Sequence, residues 1–308
     1  MNWEEVIGWL LAGDVSIQYQ VHRDLLGEER PDLRARVATE GWGAQILLAR
    51  HANGHWGRGF YQPKWISTHY SLLDLANLDF PPDHPWPQAS VALILRENVA
   101  ADGGVNPARS IAQSDVCVNG MFLTYACHFR ADVHALSSIV DFVIGQQMAD
   151  GGFNCRANRQ GAVHSSLHST ISVIEGIRVY AANGYTYRLA ELEKMAADGR
   201  QFILQHQLYR SDHTGEIIDR RMTMLSYPSR WKYDILRALD YFRAAGIAHD
   251  PRMQSALDVL VKKRRKDNTW PVQAKHAGQT HFDMEKTGGP SRWNTLRALR
   301  VLGHFDVG

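Results

Sequence analysis

A four-residue turn returns along this chain at a nearly constant interval, and that period limits the folds open to it. The copies are Asn53-Gly-His-Trp56, Asp102-Gly-Gly-Val105, Asp150-Gly-Gly-Phe153 and Asp267-Asn-Thr-Trp270. Their last residues lie 49, 48 and 117 positions apart. The widest gap has room for about two further repeats. Asp212-His-Thr-Gly215 falls near its middle as a degenerate copy. Asp or Asn supplies an Asx turn, and Gly supplies a positive φ. The last residue then serves as an apolar plug. Repeats of this length are supersecondary units that bury their apolar faces only by stacking on a neighbour.

Helical patterns flank each turn. Those before it cover 31–52, 84–100, 131–148, 189–208 and 251–266, and those after it cover 67–78, 114–129, 165–182, 229–245 and 291–303. Residues 15–27 make a sixth of the second kind, with 3–11 as its pair. The second set is small and apolar, as around Met121 and Ile171, whereas the first carries charged faces, as at Arg34, Arg36 and 262–266. One set therefore lies inside and the other outside. Strand alternation is absent. Ser67, Ser114, Ser229 and Ser291 stand where inner helices begin and can cap their amides. Pro228 and Pro290 stop the incoming chain from being helical. The expectation is an all-α protein, an (α/α)6 toroid forming a single domain over 1–308. Closure is preferred to an open solenoid because it gathers the unusual residues at the inner helix starts around one cavity. Those residues are His69, Asp115, Cys117, His168, Trp231 and Trp293.

Charge excludes some partners. Lys and Arg number 34 against 32 Asp and Glu, a formal +2, which gives no reason to expect nucleic acid or an anionic surface. Apolar runs break well short of the ~20 residues needed to span a bilayer, so no integral membrane segment is expected. The opening Met-Asn-Trp-Glu-Glu has acids where a signal peptide has bases. Three cysteines are an odd number, which argues against a disulfide framework. A cytoplasmic location is expected.

The turns, at this period, resemble those of the squalene cyclase and protein prenyltransferase β-subunit toroids. Pro228-Ser-Arg-Trp and Pro290-Ser-Arg-Trp resemble bacterial prenyltransferase-like proteins. The cyclase branch carries an Asp-x-Asp-Asp acid, which this sequence lacks. The prenyltransferase branch implies more. There an Asp-x-Cys at one inner helix start and a His at the next hold zinc, and Asp115, Cys117 and His168 match them in order. Its diphosphate-binding Arg and His match Arg109 and His69. Where those β-subunits have Lys and Tyr, this chain has Ala112 and Val118.

The resemblance implies an enzyme acting on an isoprenoid-type substrate, with zinc-assisted transfer to a thiol. Catalytic residues would be Asp115, His69 and Arg109. Trp65, Tyr70, Phe122, Trp231 and Trp293 would form an apolar wall. The partner is a small molecule or peptide with an apolar part, and a second subunit stays open. The same residues have plainer readings. Asp115 also fits a helix cap, Cys117 a small buried residue, and His168 a hydrogen-bonded core group. Cys155, His164 and His168 form a second possible ligand set. Tyr61, His69, Tyr70, Arg230, Tyr233 and Arg292 equally suit β-elimination of acidic sugars by a polysaccharide lyase. A non-catalytic toroid that binds a hydrophobic ligand or peptide is the third class.

Overall fold

The computed structural model describes residues 1–108 and 110–307, with the backbone alone at Asn158 and Arg159. Its helices, in chain order, are α1 (Trp3–Leu11), α2 (Val15–Val21), α3 (Pro31–Arg36), α4 (Gly41–Leu48), α5 (Thr68–Asn77), α6 (Pro85–Asn98), α7 (Val116–His128), α8 (Val133–Ile144), α9 (Ala157–Gln160), α10 (Leu167–Ala182), α11 (Leu189–Gln205), α12 (Ile235–Ala244), α13 (Gln254–Lys262) and α14 (Arg292–His304). Among the described residues, extended pairing amounts to isolated bridges and one antiparallel pair, β1 (Trp270–Pro271) with β2 (Pro290–Ser291). No described helix is long and apolar enough to cross a membrane.

The repeated turns are built alike. Gly54, Gly103 and Gly151 take φ of 91°, 89° and 87°, and Asn268 takes 63° in the fourth copy. The leading carboxylate or amide closes each turn, as Asp102 Oδ1 does by accepting from Gly104 N–H at 3.1 Å. The plug residues Trp56, Val105, Phe153 and Trp270 are completely buried. Burial would strand their backbone N–H groups, and each is met by a side chain of the helix that follows. Trp56 N–H donates to Thr68 Oγ1 at 3.1 Å and Val105 N–H to Asn119 Oδ1 at 2.8 Å. Phe153 N–H donates to Thr170 Oγ1 at 3.0 Å and Trp270 N–H to Thr295 Oγ1 at 2.9 Å. Each turn is thereby locked to one residue of one helix.

The degenerate copy at Asp212 lacks this device. Its turn ends in exposed Gly215, and Ile217 just beyond it is 40% exposed, so nothing there plugs a core.

The chain divides into two units. The first comprises Met1–Ala49, Asn77–Pro81 and Leu204–Gly308. Here the opening and closing stretches of the chain pack together. Arg292 Nε donates to Trp9 O at 2.8 Å, and Asn268 Nδ2 to Met1 O at 2.7 Å. A buried ion network ties the same stretches. Arg300 of α14 donates to Asp24 Oδ2 at 2.7 Å and to Asp240 Oδ1 of α12 at 2.8 Å. Arg243 also reaches Asp240, at 2.9 Å, and Arg23 joins Asp24 to Asp79. Burial opposes charge on Asp240, but Arg300, Arg243 and Arg297 outweigh it and hold the carboxyl far below its ordinary range.

The second unit comprises Arg50–Ala76 and Pro82–Ile203. Its centre is the packing of α7 on α10. A Cβ on Gly120 would lie 2.5 Å from Ser172 O, and one on Gly176 would strike the Gly120 carbonyl. Only glycine at both positions lets the two backbones come this close.

Two expected helices and one expected cap differ in the structure. The stretch 31–52 is two helices, because Gly41 at φ 62° breaks it. The Asp14 carboxylate there receives Ser16 N–H of α2 and Trp42 N–H of α4, at 2.9 and 2.8 Å. The helix expected from Ser229 begins at Ile235 instead. Arg230 sits at φ 58°, outside any helix, and Asp234 provides the cap by accepting Arg237 N–H at 2.8 Å. Ser291 caps α14 as expected, whereas the Ser114 hydroxyl turns back to Asp102.

Thr170→Val keeps the side chain's shape and removes the acceptor for Phe153 N–H. Chemical denaturation should show a loss of roughly 1–3 kcal/mol, the cost of a stranded buried donor. Arg300→Leu takes one of the arginines from each of two buried carboxylates, Asp24 and Asp240, and should cost up to roughly 3–5 kcal/mol by the same measurement, with Arg23 and Arg243 offsetting part of the loss.

Candidate functional site

The first turn of α5 carries the most unusual group in the second unit. His69 is fully buried. Its Nδ1 shares a hydrogen bond of 3.0 Å with the Tyr125 hydroxyl, whereas Nε2 has no hydrogen-bond partner among the described residues. Aromatic rings enclose the imidazole. Phe60, Tyr61, Tyr70 and Tyr125 lie 5.6, 5.4, 4.8 and 5.4 Å from it between centroids. Trp65 packs edge-on to Tyr70 at 4.9 Å, and Phe122 to Tyr125 at 5.2 Å. The Tyr61 and Tyr70 hydroxyls are 3.1 Å apart.

Local structure explains the cluster. Thr68 and His69 begin α5, and their amides return to Gly59 O and Phe60 O at 3.1 and 2.9 Å. Phe60 and Tyr61 are thereby fixed beside the helix start. Phe122 and Tyr125 stand three apart on α7, so they share a face. Burial chiefly, and Lys64 secondarily, lower the His69 pKa to about 3. The imidazole is therefore neutral near pH 7. Burial likewise raises the Tyr125 phenol well above its ordinary value.

The structure thus brings together His69, Tyr70, Trp65 and Phe122. Phe60 and Tyr125 complete the cluster and were not singled out from sequence. The i, i+3 relation of Tyr125 to Phe122 was the available signal. Trp231 and Trp293 belong to the other unit. Trp293 stacks against Tyr227 at 4.7 Å and meets Trp42 edge-on at 6.3 Å, while the Lys232 ammonium lies 3.8 Å from the Trp231 ring.

The residues expected to hold zinc stand at the starts of α7 and α10. Asp115 is at the N-cap of α7 and nearly buried, but its side chain does not cap the helix. His168 is the second residue of α10 and half-buried. Cys117 is bonded to Cys155, with Cα atoms 6.1 Å apart. The odd cysteine count argued against a disulfide framework, and two of the three cysteines nevertheless pair. Thirty-eight residues separate the two in sequence, and packing of α7 on α10 closes that distance. Among the described residues no three His, Cys, Asp or Glu converge as metal ligands. Arg109 lies outside the described residues.

The first unit has a small open cleft of its own, lined by Tyr227, Arg230, His276 and Glu285 among others. The Glu285 carboxylate accepts from the Ser291 hydroxyl and, at 3.2 Å, from Trp293 N–H, which ties the cleft to the start of α14. Burial nevertheless raises its pKa. His276 is lowered to about 4 by burial, then by Lys232 and Arg230.

Compared with known protein families the chain matches none, and no curated protein matches its sequence.

The His69 shift predicts acid sensitivity. Unfolded, the imidazole binds a proton below about 6.5. Folded, it refuses one until about 3. Between these values the unfolded chain holds more protons, so stability is complete above pH 6.5 and falls as pH drops. The slope from this group is at most about 1.4 kcal/mol per pH unit. Denaturant titrations from pH 7.5 to 4.5 should show that decline, and His69→Gln should flatten part of it. Equal slopes in both proteins would refute the assignment.

Proposed function

We propose that this chain is an enzyme acting on a substrate with an isoprenoid-type apolar part, and that its chemistry centres on His69. The observation that carries the reading is a neutral, buried imidazole with one unpartnered nitrogen inside an aromatic enclosure. Aromatic faces stabilise developing positive charge, and their bulk excludes water. A base whose conjugate acid has a pKa of about 3 is too weak to deprotonate ordinary carbon acids. It is strong enough to take a proton next to a carbocation. Lys64, beside His69, offers positive charge for a departing anion such as diphosphate. A β-eliminating lyase needs a much stronger base, and burial pushes the Tyr125 phenol away from that role.

The wider architecture we propose is the α/α toroid of six helix pairs. Its support is the packing of the opening and closing stretches of the chain in the first unit, since an open solenoid keeps its ends apart. Transfer to a thiol assisted by zinc gains no support from the placement of Asp115, Cys117 and His168.

The test is incubation with allylic diphosphates and neutral polyprenes, with products followed by mass spectrometry and binding by tryptophan fluorescence. Turnover should fall about 10²-fold or more in His69→Gln while the helical circular dichroism signal persists. Binding without turnover would make the protein a receptor instead. Ultraviolet-absorbing unsaturated products from uronate polymers, with no isoprenoid turnover, would favour the lyase.

A further inference from the structure

The three cysteines occupy different environments. Cys127 lies deep in α7, fully buried, and burial pushes its thiol up, away from reactivity. Cys117 and Cys155 are bonded to each other and both half-buried, so a small reagent can approach them. The Cys155 sulfur also has two donors. Cys117 N–H, in the first turn of α7, points at it from 3.1 Å, and the Ser169 hydroxyl, in the first turn of α10, from 3.4 Å. Amides in a helix's first turn have no partner within the helix and favour negative charge.

The bond is not needed to hold this region. Gly120 and Gly176 already bring α7 and α10 into contact. Asp150 accepts from Ser165 N–H at 2.8 Å, Phe153 N–H reaches Thr170, and Cys155 N–H donates to Ser169 Oγ at 3.1 Å. Residues 150–155 therefore stay anchored to α10 if the bond opens.

We propose that Cys117 and Cys155 form an exchangeable dithiol–disulfide site whose co-reactant is a dithiol. The reductant's thiolate attacks Cys117 Sγ, and the bond between the two cysteines breaks. Its electron pair leaves on Cys155, where Cys117 N–H and Ser169 receive the charge. The reductant's second thiol then attacks its own sulfur in the mixed disulfide and releases Cys117. Two electrons and two protons pass to the protein pair, and the dithiol becomes a disulfide. This proposal is independent of the isoprenoid reading.

The experiment maps thiols in the intact protein. After oxidised glutathione, alkylation with N-ethylmaleimide under denaturing conditions should label Cys127 alone, and digestion should yield a linked 117–155 peptide. Dithiothreitol on the native protein should open both sites to alkylation while Cys127 stays closed and the helical signal is kept. Ser169→Ala should slow that opening several-fold. In Cys155→Ser, a small aromatic disulfide should form a mixed disulfide at Cys117, and Cys117→Ser provides the converse. Three labelled cysteines after oxidation would overturn the proposal. So would a bond that opens only when the helices melt, or an opening rate unchanged by Ser169→Ala. Stoichiometric zinc released by alkylation would overturn it too, and would assign the sulfurs to a metal.

Discussion

The hydrogen bond from each buried plug residue to a polar side chain on the next helix is the contact on which the arrangement depends. A turn that drives Trp56, Val105, Phe153 or Trp270 into an apolar interior takes its backbone amide out of water. Without a partner that amide would cost much of what the plug's burial contributes. Thr68, Asn119, Thr170 and Thr295 supply the partner, and each lies near the start of its helix. The bond fixes the axial position of that helix against its turn. Side chains in the same first turns, His69 among them, inherit that placement.

Two kinds of contact then set the units. In the second unit, paired glycines admit a close contact between α7 and α10 that leaves no room for side chains at those positions. Tyr125 and Phe122 project from α7 toward the start of α5. In the first unit the decisive contacts are ionic. Arg300 lies between two carboxylates from stretches far apart in sequence, Asp24 and Asp240. Such an arrangement is costly to break and contributes little net stability over an apolar core. Its effect is on pairing, because a misaligned helix would leave a charge buried.

The neutral state of His69 and the reactivity assigned to Cys155 rest on opposite uses of environment. An apolar enclosure denies the imidazole its charge. A helix amide and a hydroxyl favour negative charge on the sulfur. Both groups are near helix starts, one walled by rings and the other facing one backbone amide and one hydroxyl.

Sequence alone determined the repeat, the helical class and most helix positions, because turn chemistry and apolar periodicity are local properties. It also marked His69, Tyr70, Trp65 and Phe122, since titratable and aromatic residues at helix starts are visible without a fold. Tertiary structure decided what those residues meet. Tyr125 became the partner of His69 only through packing of α7 beside α5. Cys117, legible as a zinc ligand beside Asp115, became the partner of Cys155, because contact between residues 38 apart depends on how helices pack and not on spacing. The start of α12 moved from Ser229 to Ile235 for a similar reason. Several residues there could cap a helix, and only the folded chain shows Arg230 turned to positive φ and Asp234 receiving the amide.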